Sequence, residues 1–563
     1  MAIFNVTNLN DFGAGSLRQA IFDANGLPGA DTIEFSSVTG TITLRSGELR
    51  VTDSLTINGP GAKLLSVSGN NASRVFNINS YSTNTNFDVF INGLTITGGN
   101  SSSGGGIETN GGSITIMDSI ISGNFGNGVT SFGGTTTISN STISGNFGNG
   151  VTSLGGGTTT ISNSTISGNF GYGVSSNGSS SILTITNSTI LKNSQHGVSS
   201  NGPNGTTTIT DSNISENSGK GVTSSGDTTI SNSTILKNSQ DGVSSNNPNG
   251  TTTITGSNIS ENSGKGVTSS GDTTISNSTI LKNSQDGVSS NNPNGTTTIT
   301  GSNISENSGK GVTSFGDTTI SNSTILKNSQ DGVSSNNPNG TTTITGSNIS
   351  ENSGNGVASS DDTTTISNST ISGNSGDGVR RIFGDTITIT NSTISGNSGD
   401  GVRRIFGDTI TITNSTISGN SNSGIEIIFS NLKLTNTIIA NSGGGDCTNK
   451  GTIAANINNL IEDGTCNPGY QGDPNLGPLQ NNGGPTLTHA LLPGSIAINA
   501  GSNAAVPSYL TTDQRGIGFT RILGGTVDIG AYEAVAVVPE PLTMLGVATA
   551  TAFAIAFRGK RKR

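Results

Sequence analysis

Aliphatic residues recur at three fixed distances from a repeated asparagine along most of this 563-residue chain. An isoleucine stands eight residues before that asparagine, another stands three residues before it, and a valine or isoleucine follows it by five. One unit contains Ile138, Ile143, Asn146 and Val151, with a glycine just before the valine. The fourteen asparagines of the series are Asn124, Asn146, Asn169, Asn193, Asn217, Asn238, Asn262, Asn283, Asn307, Asn328, Asn352, Asn374, Asn397 and Asn420, and Asn441 closes it.

The spacing of these positions predicts a coil with three short faces. Successive asparagines are 21 to 24 residues apart, which is too short for a unit to bury a core alone, so each unit must stack on its neighbours. Strand side chains alternate faces with a period of two, so isoleucines five residues apart cannot both point inward from one flat strand. We therefore expect one corner near Asn140. We place a second corner at the ladder asparagine and the glycine before the valine, since both tolerate turn dihedrals.

Residue types support extended chain rather than helix. The recurring Thr-Thr-Thr-Ile-Ser run is β-branched, and each coil would pair in parallel with the next coil. Buried corner asparagines would then bond to those of neighbouring coils. A disordered Gly/Ser/Thr/Asn tract is the alternative, given 84 glycines and 29% hydrophobic residues, but disorder needs no isoleucine at constant phase. The fold class predicted is all-β, a right-handed parallel β-helix of about fifteen coils.

Charges follow the same repeat. Residues just before the asparagine alternate in sign (Lys192, Glu216, Lys237, Glu261), and residues three after it do so from Lys220 to Asp331. In-register neighbours would lie ~4.8 Å apart, where opposite charges attract. Because the sign of the charge alternates from coil to coil, the pattern recurs every two coils, which explains why residues 206–340 repeat best every 45 residues. Acid/base pairs for sugar cleavage are the functional alternative. We favour stacking, because the same pair recurs along an exposed edge.

Two Arg-Arg pairs stand apart from this pattern. Arg380-Arg381 and Arg403-Arg404 lie on adjacent coils and could grip an anionic glycan or phosphate. The alternative is neutralisation by nearby aspartates, which we favour. The aspartates concerned are Asp377, Asp385, Asp400 and Asp408.

The N-terminus predicts a cap for the open end of the stack. A strand over residues 2–7 precedes a short amphipathic helix, for which Ser16 and Gln19 fit a capping box and Gly26 is a stop. Leu17, Ala20, Ile21 and Ala24 would form its apolar face. Such a helix would cover strand edges that are otherwise unpaired.

Several runs resemble known families. Residues 8–21, Asn-Leu-Asn-Asp-Phe-Gly-Ala-Gly-Ser-Leu-Arg-Gln-Ala-Ile, resemble the start of bacterial surface β-helix proteins of the pectin-lyase-like superfamily. Residues 441–533 resemble the choice-of-anchor Q module that follows such helices, through runs at 445–447, 459–466, 472–479, 482–491, 513–516 and 528–533. The resemblance implies a surface protein without defined catalysis. The expected units are a cap (1–50), the repeats (51–441), the anchor module (442–534) and a sorting signal (535–563).

The anchor-like module contains the remaining candidate chemistry. Cys447 and Cys466 are the only two cysteines; export would favour one disulfide between them, whereas a cytoplasmic chain would keep two buried thiols. His489 could be a catalytic base, but the resemblance gives it no such role. We expect Asp513, Arg515 and Asp528 to form a polar network. Neither histidine has a metal-ligand partner at a suitable spacing, so no metal or cofactor is predicted.

The C-terminus resembles a PEP-CTERM sorting signal. Pro539, Glu540 and Pro541 precede an uncharged run at 542–557 and a basic tail. The resemblance implies export, a short membrane helix, retention in the cell envelope and processing by an exosortase-type enzyme; a plain membrane anchor is the alternative. Met1 leads directly into a strand without a secretory leader, so either the start lies upstream or export uses another route.

These observations give a first functional hypothesis. A net charge of −10 argues against nucleic acid as a partner. Near-identical copies suit a surface rod, so we expect a non-catalytic structural or adhesive protein that associates with extracellular polysaccharide. A polysaccharide lyase or hydrolase is the first alternative. A threonine array that binds ice or glycan is the second, with Thr135, Thr137 and Ser139 pointing outward.

Overall fold

The structure, a computed structural model, describes residues 1–79, 87–361 and 363–535. It is an all-β parallel solenoid, and the predicted fold class is confirmed. Parallel pairing begins with Ile3–Val6 on Asp31–Phe35 and continues to Leu460–Ile461. The stack has about 18 turns rather than fifteen, because coils before and after the asparagine repeat also pair in register.

Each coil consists of three strands, which define the first, second and third faces. In one coil they are Thr135–Ser139, Thr142–Ser144 and Val151–Leu154. The other first-face strands are Ile3–Val6, Asp31–Phe35, Leu55–Asn58, Asp88–Asn92, Ser113–Met117, Thr158–Ser162, Ile182–Thr186, Thr206–Thr210, Asp227–Ser231, Thr251–Thr255, Asp272–Ser276, Thr296–Thr300, Asp317–Ser321, Thr341–Thr345, Thr363–Ser367, Thr386–Thr390 and Thr409–Thr413.

Strands of the second face form a sheet of their own. They are Gly40–Thr43, Leu65–Ser68, Thr95–Thr97, Ile120–Ser122, Thr165–Ser167, Thr189–Leu191, Asn213–Ser215, Thr234–Leu236, Asn258–Ser260, Thr279–Leu281, Asn303–Ser305, Thr324–Leu326, Asn348–Ser350, Thr370–Ser372, Thr393–Ser395, Thr416–Ser418, Ile438–Ala440 and Leu460–Ile461.

Strands of the third face belong to the same sheet as the first. They are Leu49–Val51, Phe76–Asn79, Ile107–Asn110, Val129–Phe132, Val174–Asn177, Val198–Ser200, Val222–Ser224, Val243–Ser245, Val267–Ser269, Val288–Ser290, Val312–Ser314, Val333–Ser335, Val357–Ser359, Val379–Arg381 and Val402–Arg404. Two long strands, Ile425–Thr435 and Cys447–Ile457, cross from the third face to the first.

The core is a set of aliphatic columns at the predicted positions. Ile138, Ile143 and Val151 are each 0% exposed, and each pairs in register with the equivalent residue of the next coil. Burying such a side chain contributes about 1.5–3 kcal/mol relative to leaving it in water. The columns therefore hold the stack together and set its register.

The two corners differ in how they are made. Asn140 turns the first corner with a φ of 49°, as predicted. At the second corner the left-handed residue is the one before the ladder asparagine, such as Lys237 with a φ of 53°. The glycine before the valine was predicted to serve turn dihedrals, and this was wrong. A Cβ at Gly242 would meet Ile259 Cγ2 at 2.6 Å, so that glycine is needed for close packing between coils.

Further segments cover the N-terminal end of the stack and part of its second face. The helix Leu17–Asn25 caps the N-terminal end with its predicted apolar face buried, and Ser16 Oγ accepts a hydrogen bond from Gln19 N–H. Only half of the capping box forms, because the Ser16 backbone N–H donates to Gly13 O at 3.1 Å and not to the Gln19 side chain. Towards the C-terminus an antiparallel hairpin, Leu476–Gln480 with Thr488–Leu491, and the 3₁₀ turn Asn503–Ala505 fold back onto the second face.

This back-folded segment, residues 472–535, is held by hydrogen bonds to coils far away in sequence. Gln514 accepts from Thr393 Oγ1 at 2.6 Å and donates to Ser369 O at 3.2 Å. Ala531 N–H donates to Thr416 Oγ1 at 3.0 Å. Among the described residues, no helix has the length and apolar character needed to cross a membrane. Pro539, Glu540, Pro541 and the predicted membrane helix lie outside the described residues.

Candidate functional site

The asparagine ladder is a buried structural element. Asn262 is 0% exposed, and its Nδ2 donates to Ile235 O at 3.2 Å and to Asn283 Oδ1 at 3.0 Å. Asn262 N–H donates to the same Asn283 oxygen at 3.1 Å. The predicted ladder is thus confirmed from Asn124 to Asn420, and the amide of Asn262 has no free donor for a ligand. The prediction that Asn441 closes the series was wrong, because Asn441 is exposed and Ser442 takes the ladder position.

The predicted charge pairing is also confirmed. Lys237 Nζ lies 3.6 Å from Glu261 Oε2, and Lys265 Nζ lies 3.7 Å from Asp286 Oδ2. The Lys237 and Glu261 side chains are about half exposed, so each pair contributes at most about 1 kcal/mol. These pairs stabilise the register of the coils and form no unique site.

The column three residues after the ladder asparagine loses its alternation of charge near the C-terminal end. Its last members are Asp331, Asn355, Asp377, Asp400 and Ser423, among which two carboxyl groups follow one another without an intervening lysine. Each side-chain Oδ1 accepts the backbone N–H of the next member, at 2.9 Å for Asp400 N to Asp377 Oδ1. We call Asp377 and Asp400 the acid pair.

The acid pair is nearly buried but retains accessible oxygens. Asp377 is 6% exposed and Asp400 is 4% exposed. Asp377 Oδ2 makes no hydrogen bond or ion pair within the described part of the chain, and it is not fully enclosed. Burial raises the pKa of Asp400 above its ordinary value, and the charges of Asp377 and Glu426 act in the same direction, while the Ser423 N–H and the charge of Arg403 partly offset them.

Only half of the arginines singled out in the sequence face the solvent. Arg380 and Arg403 pair in register on the outside of the third face. Arg403 Nε lies 2.9 Å from Glu426 Oε2 and 3.8 Å from Asp400 Oδ2; the shorter contact lacks the alignment of a hydrogen bond, so it is an ion pair. Arg380 has no ion pair with any described residue.

Arg381 and Arg404 point into the solenoid. They are 1% and 0% exposed, and Arg404 donates to Gly384 O and Asp385 O instead of forming a salt bridge with an aspartate, while the charges of Asp408 and Asp385 still favour its charged form, in part as the sequence analysis favoured. Burial lowers the pKa of Arg404 to about 10, and the charge of Arg381 acts in the same direction. The sequence could have predicted these orientations. Side chains alternate between the two faces of a strand, and Val379 points inward, so Arg380 must point outward and Arg381 inward.

An exposed aromatic stack, which the sequence analysis missed, lies on the same coils. Phe383, Phe406 and Phe429 are 61%, 45% and 68% exposed. Their ring centroids are 5.9 Å and 5.5 Å apart with nearly parallel planes. The turn that bears Phe383 follows directly on the strand that bears Arg380. The sequence feature that could have predicted the stack is Arg-Arg-Ile-Phe-Gly-Asp, which occurs at residues 380–385 and again at 403–408.

A cavity of about 250 Å³ adjoins this surface on the N-terminal side. Asp331, Asn355 and Arg380 line it, together with Lys310. The acid pair, Arg380, Arg403, Glu426 and the three phenylalanines therefore make one continuous surface, which we call the third-face site.

The other predicted candidates have structural roles. Cys447 and Cys466 are joined in a disulfide with their Cα atoms 5.9 Å apart. His489 Nδ1 donates to Gly477 O at 2.7 Å, so that its Nε2 accepts from Ser395 Oγ at 2.8 Å; the tautomer follows from this network. Burial lowers the pKa of His489, which keeps the ring neutral.

The predicted polar network of the back-folded segment is present. Arg515 pairs with Asp513 at 2.5 Å, and its guanidinium stacks on the Tyr532 ring at 3.7 Å. Arg521 lies 3.5 Å from Glu533 and donates to Asp528 O. No group of three or more His, Cys, Asp or Glu side chains within residues 1–79, 87–361 and 363–535 could hold a metal ion.

The first face carries the predicted hydroxyl array. Thr135, Thr137 and Ser139 alternate outward with the buried Thr136 and Ile138. The column of Thr137 is threonine in fourteen consecutive coils, whereas that of Thr135 is interrupted by Ile182, Asp227, Asp272 and Asp317. The charged interruptions restrict any uniform hydroxyl face to two columns.

Comparison with known families agrees with the coil geometry. The family described as "Right handed beta helix region" matches residues 77–235, 196–339 and 331–473. The chain belongs to this right-handed β-helix family. No curated protein matches the chain.

Solved structures with a similar fold include several enzymes. The A-module of the Azotobacter vinelandii mannuronan C-5 epimerase AlgE4 is 12% identical, over 83% of this chain and 99% of that one, with a TM-score of 0.22. Pectate lyase Pel9A is 13% identical over 95% and 97%, with a TM-score of 0.21. The catalytic domain of a GH87 alpha-1,3-glucanase is 12% identical over 83% and 67%, with a TM-score of 0.23.

These comparisons correct one prediction. The chain was expected not to be an enzyme, yet the similar structures are an epimerase, a lyase and a glucanase. The repetitive β-helix therefore cannot be taken as a sign that catalysis is absent. At these identities and TM-scores, the likeness carries no argument about which substrate or reaction applies to this chain.

Proposed function

We propose that this protein is a polysaccharide hydrolase that binds an extended acidic polysaccharide across the third-face site and cleaves it at the acid pair. The observation that carries the proposal is the acid pair itself. It places two carboxyl groups on adjacent coils where the alternation of charge ends, and burial raises the pKa of one of them. A catalytic site needs such an asymmetric environment, and the repeated lysine–carboxylate pairs do not provide one.

The spacing of the acid pair suits a retaining mechanism. In-register strands lie ~4.8 Å apart, close to the roughly 5–5.5 Å between the two carboxyl groups of retaining glycosidases. Asp400, with its raised pKa, would donate a proton to the glycosidic oxygen. Asp377 Oδ2 would attack the anomeric carbon as the leaving sugar departs. Asp400 would then take a proton from water, which hydrolyses the glycosyl ester and frees Asp377.

The surroundings of the acid pair would bind the substrate. Arg380, which has no ion pair within the described residues, offers a guanidinium to a sugar carboxylate or sulfate. The exposed rings of Phe383, Phe406 and Phe429 offer apolar surfaces for sugar rings. Because these rings recur once per coil, the polysaccharide would run along the axis of the solenoid.

The test is release of reducing ends from a panel of acidic and neutral polysaccharides by the full chain. Asp377→Asn and Asp400→Asn should each lower the rate by about 10²-fold or more. Asp286→Asn is the matched control, because Asp286 has the same place in its coil and the same backbone hydrogen bond but does not line the cavity beside Arg380; it should retain the activity. Absence of turnover with every polysaccharide, or full activity in Asp400→Asn, would refute the proposal. An unsaturated product would identify a lyase instead.

The same proposal includes a location outside the cytoplasm. It is supported by Pro539, Glu540 and Pro541, the uncharged run at 542–557 and the basic tail. This segment would retain the protein in the cell envelope and would be processed by an exosortase-type enzyme. Deletion of residues 539–563 should move the protein from the envelope fraction to the medium or cytosol. An unchanged fractionation would contradict this part of the proposal.

A further inference from the structure

The first corner of the coils carries a second column of asparagines, separate from the buried ladder. In six coils this corner asparagine is exposed, with a φ between 45° and 50°. Each is followed by serine and then by threonine. The six are Asn140, Asn163, Asn187, Asn232, Asn277 and Asn322.

The amide groups of the two columns have different surroundings. Nδ2 of a ladder residue such as Asn262 makes two buried hydrogen bonds. At the corner, Asn187 Nδ2 donates to Asn163 Oδ1 at 2.7 Å, but Nδ2 of Asn140 or Asn232 makes no hydrogen bond within the described residues. The same is true of Asn277 and Asn322. Packing therefore does not explain why an amide stands at this corner.

The turn does not explain it either. Other coils form the same corner with Asp118 (φ 46°), Asp211 (φ 49°) or Gly256 (φ 58°). Aspartate, glycine and asparagine all visit the left-handed region at low cost. The corner conformation is thus available without an asparagine.

The residue two positions after the corner varies together with the corner residue. It is threonine in all six coils with an exposed corner asparagine, for example Thr142 after Asn140. Before the asparagine repeat, the corner Gly93 is followed two residues later by Thr95; within the repeat, where the corner is aspartate or glycine, this residue is not threonine. The residues found there are Ile120, Asn213, Asn258, Asn303 and Asn348. The second-face strand accepts all these residue types at this position. Within the repeat, threonine is therefore found together with a corner asparagine and is not required by the strand.

We propose that the six exposed corner asparagines are acceptors of N-linked glycans. Asn-X-Ser/Thr is the acceptor pattern for this modification, which belongs on exposed surface. No ladder asparagine has serine or threonine two residues later, so the two columns differ in this respect; Asn-X-Ser/Thr also occurs at other positions, such as Asn204 and Asn213. The co-reactant is a sugar linked through its anomeric carbon to a nucleotide or lipid diphosphate, delivered by a glycosyltransferase.

The transfer is a substitution at that anomeric carbon. A bond forms between Asn Nδ2 and the sugar C1 while the bond from C1 to the phosphate oxygen breaks. The diphosphate leaves with the bonding electrons, and the amide nitrogen loses one proton to a base of the transferase. Glycans would then line the edge between the first and second faces, on three successive coils from Asn140 to Asn187 and on every second coil from there to Asn322.

The glycan column should stop at the back-folded segment. Asn391 and Asn414 also begin an Asn-Ser-Thr sequence, but both are 0% exposed. Asn391 Nδ2 donates to Thr512 O at 3.2 Å beneath that segment. Residues 391 and 414 are therefore internal controls with the same local sequence and no room for a sugar.

The test is peptide mass mapping of the full-length protein isolated from the cells that make it, with and without an amidase that converts a glycosylated asparagine to aspartate. Sugar-bearing peptides should include Asn140, Asn163 and Asn187, which lie in distinguishable sequences, and should exclude Asn391 and Asn414. Six unmodified corner asparagines would overturn the proposal, and so would equal modification of the two buried controls.

Two matched variants separate the acceptor pattern from the fold. Thr142→Val keeps the branched side chain and removes the hydroxyl, and Asn140→Asp reproduces the corner of Asp118. Both should lose the sugar at position 140, keep it at Asn163 and leave the melting temperature of the deglycosylated protein unchanged. Persistence of sugar on Asn140 in Thr142→Val would overturn the proposal.

Discussion

Asn238 Nδ2 donates a hydrogen bond to Asn262 Oδ1 at 3.0 Å, and the backbone N–H of Asn238 donates to the same oxygen at 3.0 Å. One side-chain oxygen therefore satisfies two donors of the preceding coil, while its own amide group bonds to the following one. The arrangement repeats from Asn124 to Asn420. It lets a polar corner lie inside the stack, because each buried donor has a partner.

Removing one ladder amide should destabilise the helix locally. Asn262→Ala would leave two donors of Asn238 without their partner, at about 1–3 kcal/mol for each orphaned buried group, whereas Asn283 Oδ1 would still accept the backbone N–H of residue 262. We expect a lower midpoint in denaturant unfolding and faster hydrogen exchange in the coils around residue 262. Asn277→Asp, at an exposed corner, is the control and should change neither. Equal effects of both substitutions would disprove the role of the ladder.

The packing glycines should tolerate no methyl group. In Gly242→Ala the new Cβ would lie 2.6 Å from Ile259 Cγ2 and 2.7 Å from Gly266 O, and overpacking of this kind costs about 1–3 kcal/mol. Gly469→Ala is the control, because nothing lies closer than 3.8 Å to its Cβ. Differential scanning calorimetry should show a lower melting temperature for the first variant only. A wild-type melting temperature in Gly242→Ala would disprove close packing.

The exposed charge ladder should contribute in a salt-dependent way. Replacing Glu261, Glu306 and Glu351 by lysine puts like charges beside Lys237, Lys282 and Lys327, which now lie 3.6–3.7 Å from those glutamates. The melting temperature should fall at low ionic strength and partly recover at high ionic strength, where the repulsion is screened. The same loss at both ionic strengths would exclude an electrostatic cause.

The back-folded segment should become less stable as the pH rises through neutrality. Burial raises the pKa of Glu533 from 4.5 to about 7, so the folded chain holds a proton there that the unfolded chain has lost. This contribution to stability is complete below pH 4.5 and disappears as the pH rises through about 7. It amounts to about 1–3 kcal/mol. The unfolding free energy should fall less steeply with pH in Glu533→Gln, and an identical slope would disprove this assignment.

Removal of one 45-residue copy should preserve the fold. Deleting residues 251–295 joins Gly250 to Thr296 and places Glu306 beside Lys237, as Glu261 is now. Each coil contacts only its neighbours, so the remaining coils should pair unchanged. Small-angle scattering should show a rod shorter by about 10 Å with the same cross-section. A collapsed or expanded profile would show that the copies are not equivalent.

The third-face site shows where periodicity stops being informative. Stacking predicts that carboxylates meet lysines, which holds for Asp286 and Lys265 and fails for Asp377 and Asp400. The sequence contains both aspartates, but the pKa of Asp400 depends on its burial and on the charges of Asp377 and Glu426, which the two adjacent coils supply. Likewise, the stacking of Phe383 on Phe406 needs the rings to lie side by side on adjacent coils.

The sequence by itself determined the cross-section of the solenoid. Ile138, Ile143, Asn146 and Val151 recur at constant phase, and side-chain alternation along strands converts that phase into inward positions. Only the tertiary structure decided which surfaces remain open. Gln514 seals the second face near Thr393, 121 residues away, through a contact that no repeat encodes. Local periodicity specifies contacts between successive coils, whereas docking of the back-folded segment depends on complementarity between surfaces distant in the chain.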